Sequence, residues 1–490
     1  MNLIMPNRWV IAMAGTVVMV TIGCLYSWGL FTQPLLVAYG WDLRTTTWAY
    51  AIANFSLAAA GAVIGGFWQD RAGPRKVAMA GVVLWGAGNV LAGLGTSGLG
   101  APCLYATYGI MGGIGAGMAY ITPVAMVTKW FPDRKGLAGG LVAAGFGLGA
   151  FVYNLWVPRL AGFHAAALHA GNFLAAKAAA TAAGAQIGTG AQIGLQFMPA
   201  RSFTAADIRF TVADISAVMH VFVASGGVFL VVGLAAASLF RNPPPGYRPP
   251  PGSGSPLGDR SASHAMRACK PPVESYAPSQ ILAMPQFYLL WLQLFVNVIG
   301  GITIISNAVF ILTDLTRVSA AAIAPLFGLV SIFNALGRLF WGAVSDRIGC
   351  PKTFAIMFAI QAVTLFLLSD VHNLTLALLA TSVVLFCCGG GFGTMPSFNA
   401  SFFGTKYLGL NYALILTAWG FAALVGPILV ARAKDMTGSF AGMLPLMALV
   451  LLGAVILPFL TKKPTRRLPQ PESIRLGLYD ALESATGEFR

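Results

Sequence analysis

Apolar residues in this chain gather into runs of helical length, separated by short polar or glycine-rich joints. The runs fall near 8–30, 46–68, 76–96, 100–127, 135–158, 213–240, 286–313, 319–344, 352–369, 373–397, 409–431 and 440–461. Each is long enough to cross a hydrocarbon core of ~30 Å, which takes about 20 helical residues. The pattern predicts an all-α membrane protein of twelve transmembrane helices. Residues 161–210 are rich in Ala and Gly and interrupted by His164, His169, Lys177 and Arg201. Alanine supplies too little transfer energy for insertion, so this stretch reads as an outer loop between spans five and six. The proline-rich stretch 241–285 cannot span and reads as a cytoplasmic linker. It divides a bundle of six helices at 1–240 from a second at 286–461, leaving 462–490 as a cytoplasmic tail.

Composition agrees with immersion in lipid: 57% of residues are hydrophobic and 9% charged, with a mean hydropathy of +0.75. A net charge of +15 would point to nucleic acid in a soluble protein, but here its distribution decides. Of the 30 Lys and Arg, 21 fall in the loops of one side, eight on the other, and Arg338 inside the membrane. That asymmetry places both termini in the cytoplasm, in a multi-pass protein of the cell (inner) membrane, with lipid and not nucleic acid as its surroundings. Arg8 precedes a long apolar run without a small-residue cleavage site, which reads as a retained first span. The six cysteines and five histidines show no paired metal-ligand spacing. With no Ser/His/Asp set or phosphate loop either, no cofactor and no enzymatic activity are expected.

The halves repeat. Gly66-Phe-Trp-Gln-Asp70-Arg71-Ala-Gly73-Pro-Arg75-Lys76 matches Gly342-Ala-Val-Ser-Asp346-Arg347-Ile-Gly349-Cys-Pro-Lys352, with Asp346 lying 276 residues after Asp70. Pro123 matches Pro396 at 273, and Gly145-Phe146 matches Gly420-Phe421 at 275. Two pseudo-symmetric six-helix bundles repeated in parallel resemble the architecture of major facilitator transporters, with a site between the halves near midplane. The 66–76 stretch resembles that superfamily's signature between spans two and three. Its glycines permit a tight turn, while Asp70, Arg71 and Arg75, with Asp346 and Arg347 in the second copy, can cap and bridge helix ends as an inner gate closes. Small-xxx-small spacings at Gly109/Gly113/Gly117, Gly136/Gly140 and Gly145/Gly149 allow close helix approach. The run Gly389-Gly-Gly391-Phe-Gly393 before Pro396 suits either a discontinuous helix beside the site or close packing.

Arg338 stands alone as a cation within an apolar span. An ionisable residue at such depth costs roughly 2.5–3.5 kcal/mol on insertion scales and marks a functional site. Side chains lean toward a helix's N-terminus, so Arg338 leans toward the membrane centre rather than the nearby loop. Its planar fork suits a carboxylate, and Asn334, one turn earlier on the same face, could add a donor.

At this point the sequence resembles the oxalate/formate antiporter family and, more distantly, the monocarboxylate transporters. The resemblance is carried by Tyr26-Ser-Trp28, Tyr120, Lys129-Trp-Phe-Pro-Asp-Arg-Lys-Gly-Leu-Ala138, Ala143-Ala-Gly-Phe-Gly-Leu-Gly149, Phe333-Asn-x-x-x-Arg338-x-Phe-Trp-Gly342-x-x-Ser-Asp346, Phe403-Gly-Thr and Asn411-Tyr412. It implies that Arg338 binds a substrate carboxylate and that Tyr26, Tyr120 and Phe146 line the cavity. Oxalate carriers of the family place a lysine where this chain has Trp419, and pocket aromatics expected around the span-ten glycines fall at Cys388 and Phe392; Phe392 and Trp419, on which a larger apolar acid could stack, join the residues expected to bind substrate. Leu416 and Leu25 are further departures. One arginine matches a monoanion and leaves a dianion with about one uncompensated charge. A small monocarboxylate such as lactate, pyruvate or formate is therefore expected over oxalate, carried by a monomer with a proton or a counter-anion. No Asp or Glu lies deep in a span, which favours exchange, or symport in which the substrate acid brings the proton; Asp314 is the best-placed alternative acid. An oxalate/formate-type exchanger proper, export of another solute or drug, a carrier-shaped sensor and a membrane enzyme are the competing readings.

Overall fold

The computed structural model describes residues 7–160, 162–170, 173, 211–244, 247, 275–318, 320–437 and 442–464. Among them twelve helices are long and apolar enough to cross a membrane: Arg8–Ser27, Arg44–Ala72, Pro74–Leu99, Ala101–Trp130, Lys135–Arg159, Ala213–Ala237, Pro285–Ile302, Gly328–Ile348, Cys350–Leu368, Leu374–Phe403, Leu408–Gly426 and Met443–Leu460, here spans one to twelve. Polar side chains start several of them. Asn7 accepts from the Trp9 amide, Asn373 from that of Leu376, and Thr211 forms a reciprocal capping box with Asp214. The two copies of the repeated loop turn alike. Gly73 and Gly349 adopt φ of 83° and 86°, a region that L side chains rarely enter, and a proline follows in the first turn of the next helix.

Several spans are not regular. Span one tightens to a 3-10 turn at Cys24–Ser27, and spans two and four carry π turns at Ser56–Gly61 and Tyr105–Gly112. The helix of span eight breaks at Ser331, between Ala320–Val330 and Ile332–Ile348. Span ten, by contrast, runs unbroken through its glycines and Pro396. Those glycines serve packing. A Cβ added to Gly389 would lie 2.1 Å from the Asn334 carbonyl oxygen, and one on Gly393 2.1 Å from that of Arg338. Of the two uses open to this run, close approach is the one adopted, and the helix break lies instead in span eight.

The bundles meet along spans five and eight and along spans two and eleven, again over glycine. A Cβ on Gly136 would lie 2.2 Å from the Gly342 carbonyl oxygen, one on Gly140 2.4 Å from that of Arg338, and one on Gly66 2.5 Å from that of Gly409. Of the stretch expected to be an outer loop, residues 162–170 form a short helix. Phe163 anchors it, buried with its ring 5.6 Å from Phe31. Residues 171–210 apart from 173, most of the 241–285 linker and the tail beyond 464 lie outside the described residues.

Candidate functional site

Arg338 sits between the bundles with no solvent exposure. Asn334 and Arg338 lie one turn apart in the helix Ile332–Ile348, just after the break at Ser331. Arg338 Nε donates to Asn334 Oδ1 at 3.1 Å. An arginine nitrogen can only donate, which fixes the amide oxygen toward it. The other end of Asn334 donates to the Leu385 carbonyl at 3.4 Å, so both ends of this amide are engaged within the protein. Arg338 Nη1 donates to the Ala143 carbonyl at 3.2 Å and to the Tyr120 hydroxyl at 3.5 Å. Nη2 is buried without a hydrogen-bond partner, and no carboxylate among the described residues pairs with the guanidinium. Its charge lies over two phenyl rings instead, 5.1 Å from the centroid of Phe146 and 4.6 Å from that of Phe392.

Around the guanidinium the rings close on one another. Trp419 packs edge-on against Tyr26, Tyr120, Phe146 and Phe392, with centroids 5.8, 5.5, 5.5 and 5.0 Å away. Tyr26 also meets Phe146 at 4.8 Å. Spans one, four and five supply Tyr26, Tyr120 and Phe146, while spans eight, ten and eleven supply Arg338, Phe392 and Trp419. All seven residues singled out in the sequence for binding thus come together at the junction of the halves. A small cavity of about 20 Å³ touches Tyr26, Ser331 and Asn334, room for roughly one water. Tyr120, Phe146, Phe392 and Trp419 are fully buried, so the aromatic box is closed in this conformation. The nitrogens it leaves without partners, Arg338 Nη2 and Trp419 Nε1, are donors set among ring faces, a chemistry suited to an oxyanion with an apolar body.

The residues singled out for gating divide. Asp70 accepts from the amides of Gly409 at 3.3 Å and Leu410 at 3.0 Å, with Lys129 Nζ 3.8 Å away. Asp346 accepts from Gly136 and Leu137, both at 2.8 Å. Each thus closes on the N-terminus of a helix from the other half, where unpaired N–H groups and the helix dipole favour an anion. Arg71 lies over the Phe67 ring at 4.0 Å, and Arg75 and Arg347 are exposed.

Three further features carry no signature in the sequence. The Ala143 carbonyl is a backbone group and has no residue signature. Tyr50 is buried with its hydroxyl unpartnered, yet a tyrosine in an apolar span looks ordinary. Arg8, which is buried, pairs with Asp133 at 2.8 Å, tying the start of span one to the loop after span four.

Comparison with known proteins adds the lineage. The chain is 27% identical over 428 residues to the oxalate:formate antiporter of Oxalobacter formigenes, covering 86% of this chain and 84% of that one. It is 27% identical over 470 residues to apicoplast pyruvate carrier 1 of Toxoplasma gondii, covering 87% and 77%. In fold it is similar to the Escherichia coli fucose:proton symporter, with a TM-score of 0.60 at 13% identity, covering 94% of this chain and 100% of the other. The profile of the Major Facilitator Superfamily matches residues 9–184 and 290–486; this multi-pass membrane protein belongs to that superfamily.

Proposed function

We propose that the chain is a secondary transporter that moves small monocarboxylates across the cell (inner) membrane by alternating access, with Arg338 as the group that receives the carboxylate. The observation that carries this reading is a fully buried guanidinium with one nitrogen unpartnered and no carboxylate beside it among the described residues. A buried charge without a counter-ion costs several kcal/mol, so an incoming anion is its natural complement. Asn334 holds Nε and orients the fork rather than offering a donor of its own. Tyr26, Tyr120, Phe146, Phe392 and Trp419 enclose the substrate's apolar body. Asp70 and Asp346 hold shut the face that bears the two copies of the repeated loop, the cytoplasmic face on the charge asymmetry, with Arg71, Arg75 and Arg347 around them. The carrier acts as a monomer, and either a counter-anion or a proton travels with the substrate.

Both relatives bear on the substrate. One is named for oxalate and formate and the other for pyruvate. Trp419, a neutral residue, faces the site where a dianion would need a second cation, which favours the monoanion. Reconstituted protein should take up labelled pyruvate or lactate, competed by monocarboxylates and weakly by oxalate. Tight competition by oxalate with lactate ignored would refute the monoanion reading.

A further inference from the structure

We propose that Trp419 makes this site selective, among monocarboxylates, for acids that carry a second and neutral oxygen beside the carboxylate, the 2-oxo acids foremost. The proposal rests on the carboxylate reading of Arg338. Trp419 Nε1 is buried and has no hydrogen-bond partner, as is also true of Arg338 Nη2 and the Tyr26 hydroxyl. The indole and guanidinium nitrogens can only donate. An unpaired buried N–H lowers stability, a cost that an apolar ring such as phenylalanine does not carry. Tryptophan at this position therefore makes sense if its partner arrives with the substrate.

Geometry places that partner. The indole and the guanidinium share Phe146 and Phe392 as ring neighbours, so an acid seated on Arg338 lies against Trp419. The indole N–H is neutral, so it complements a neutral acceptor and leaves the one-to-one match between guanidinium and carboxylate intact. A 2-oxo acid presents a keto oxygen next to its carboxylate, while its alkyl end meets the phenyl rings. Acetate and propionate have no such oxygen and would leave the N–H unpaired. Oxalate has one, but it is charged. A site built to hydrogen-bond a substrate oxygen rejects the analogue lacking it far more strongly than an apolar pocket rejects a change of size.

The test compares pyruvate with methacrylate, in which a methylene replaces the keto oxygen at the same charge and nearly the same size. Each competes against labelled pyruvate uptake by the full chain in proteoliposomes. Wild type should half-saturate at a pyruvate concentration about tenfold below that for methacrylate, the effect of one buried hydrogen bond. In Trp419→Phe that ratio should collapse toward one. Equal half-saturation in wild type, or a ratio that survives in Trp419→Phe, overturns the inference. Failure of the underlying reading looks different: neither acid competes in wild type, or both compete equally well in Arg338→Gln.

Discussion

Asp70 and Asp346 occupy matching points of the repeat, and each carboxylate reaches across to the first backbone amides of a helix in the opposite bundle. Asp346 holds Gly136 and Leu137 at 2.8 Å, while Asp70 holds Gly409 and Leu410 at 3.3 and 3.0 Å. Glycine makes both crossings possible, since a Cβ on Gly342 or Gly66 would collide with the facing backbone. Loss of such a charged cap costs about 1–2 kcal/mol. Asp346→Ala should therefore speed amide exchange at residues 136–137 roughly five- to thirtyfold, and Asp70→Ala should do the same, more weakly, at 409–410. Unchanged exchange in Asp346→Ala would show that the contact does not hold this face closed.

The glycines of span ten give a stability prediction. Gly393→Ala and Gly389→Ala push a methyl into the backbone of span eight, and overpacking of this kind costs about 1–3 kcal/mol. Gly227→Ala, with nothing within 4 Å of the added carbon, should be neutral or slightly stabilising. Thermal unfolding in detergent separates the two classes. Equal melting of all three variants would mean that span eight yields freely.

Much of this was legible in the sequence, and the remainder has physical reasons for being hidden. Twelve spans, the repeat and the lone cation could be read because hydropathy and charge act over whole segments. The helix break at Ser331 could not, because a single serine in an apolar run carries no breaking signal. Glycines in span ten pointed equally to a bend and to packing, since absence of a side chain serves both, and only the position of span eight decides. The spacing of one turn between Asn334 and Arg338 is visible in the sequence, and the two side chains are hydrogen-bonded. Its engagement with the Leu385 carbonyl depends on span ten, which spacing within span eight cannot foresee.

Asn334 yields a contrast. Asn334→Ala frees Nε and should weaken pyruvate binding about tenfold, the typical effect of losing one hydrogen bond to a charged group. Asn334→Asp restores an acceptor but neutralises the guanidinium from within, so it should weaken binding more than the alanine change. Titration of the two purified variants checks the order. If Asn334→Asp binds better than Asn334→Ala, the site does not depend on a free positive charge.

Charge matching can also be moved. Trp419→Lys adds a second cation to the box and should raise uptake of oxalate relative to pyruvate by about tenfold or more. Exchange of labelled oxalate in proteoliposomes reads the change. A variant that folds, still carries pyruvate and gains nothing for oxalate would place Trp419 outside the binding region.

Direct titration of purified protein with pyruvate, wild type beside Arg338→Gln at one ionic strength, bears most closely on the guanidinium. Removing one partner of a buried charge pair costs about 2–5 kcal/mol, so saturable binding in wild type should weaken at least about thirtyfold in the variant. Binding of pyruvate to folded Arg338→Gln within threefold of wild type would contradict the assignment of Arg338 as the receiver of the substrate carboxylate.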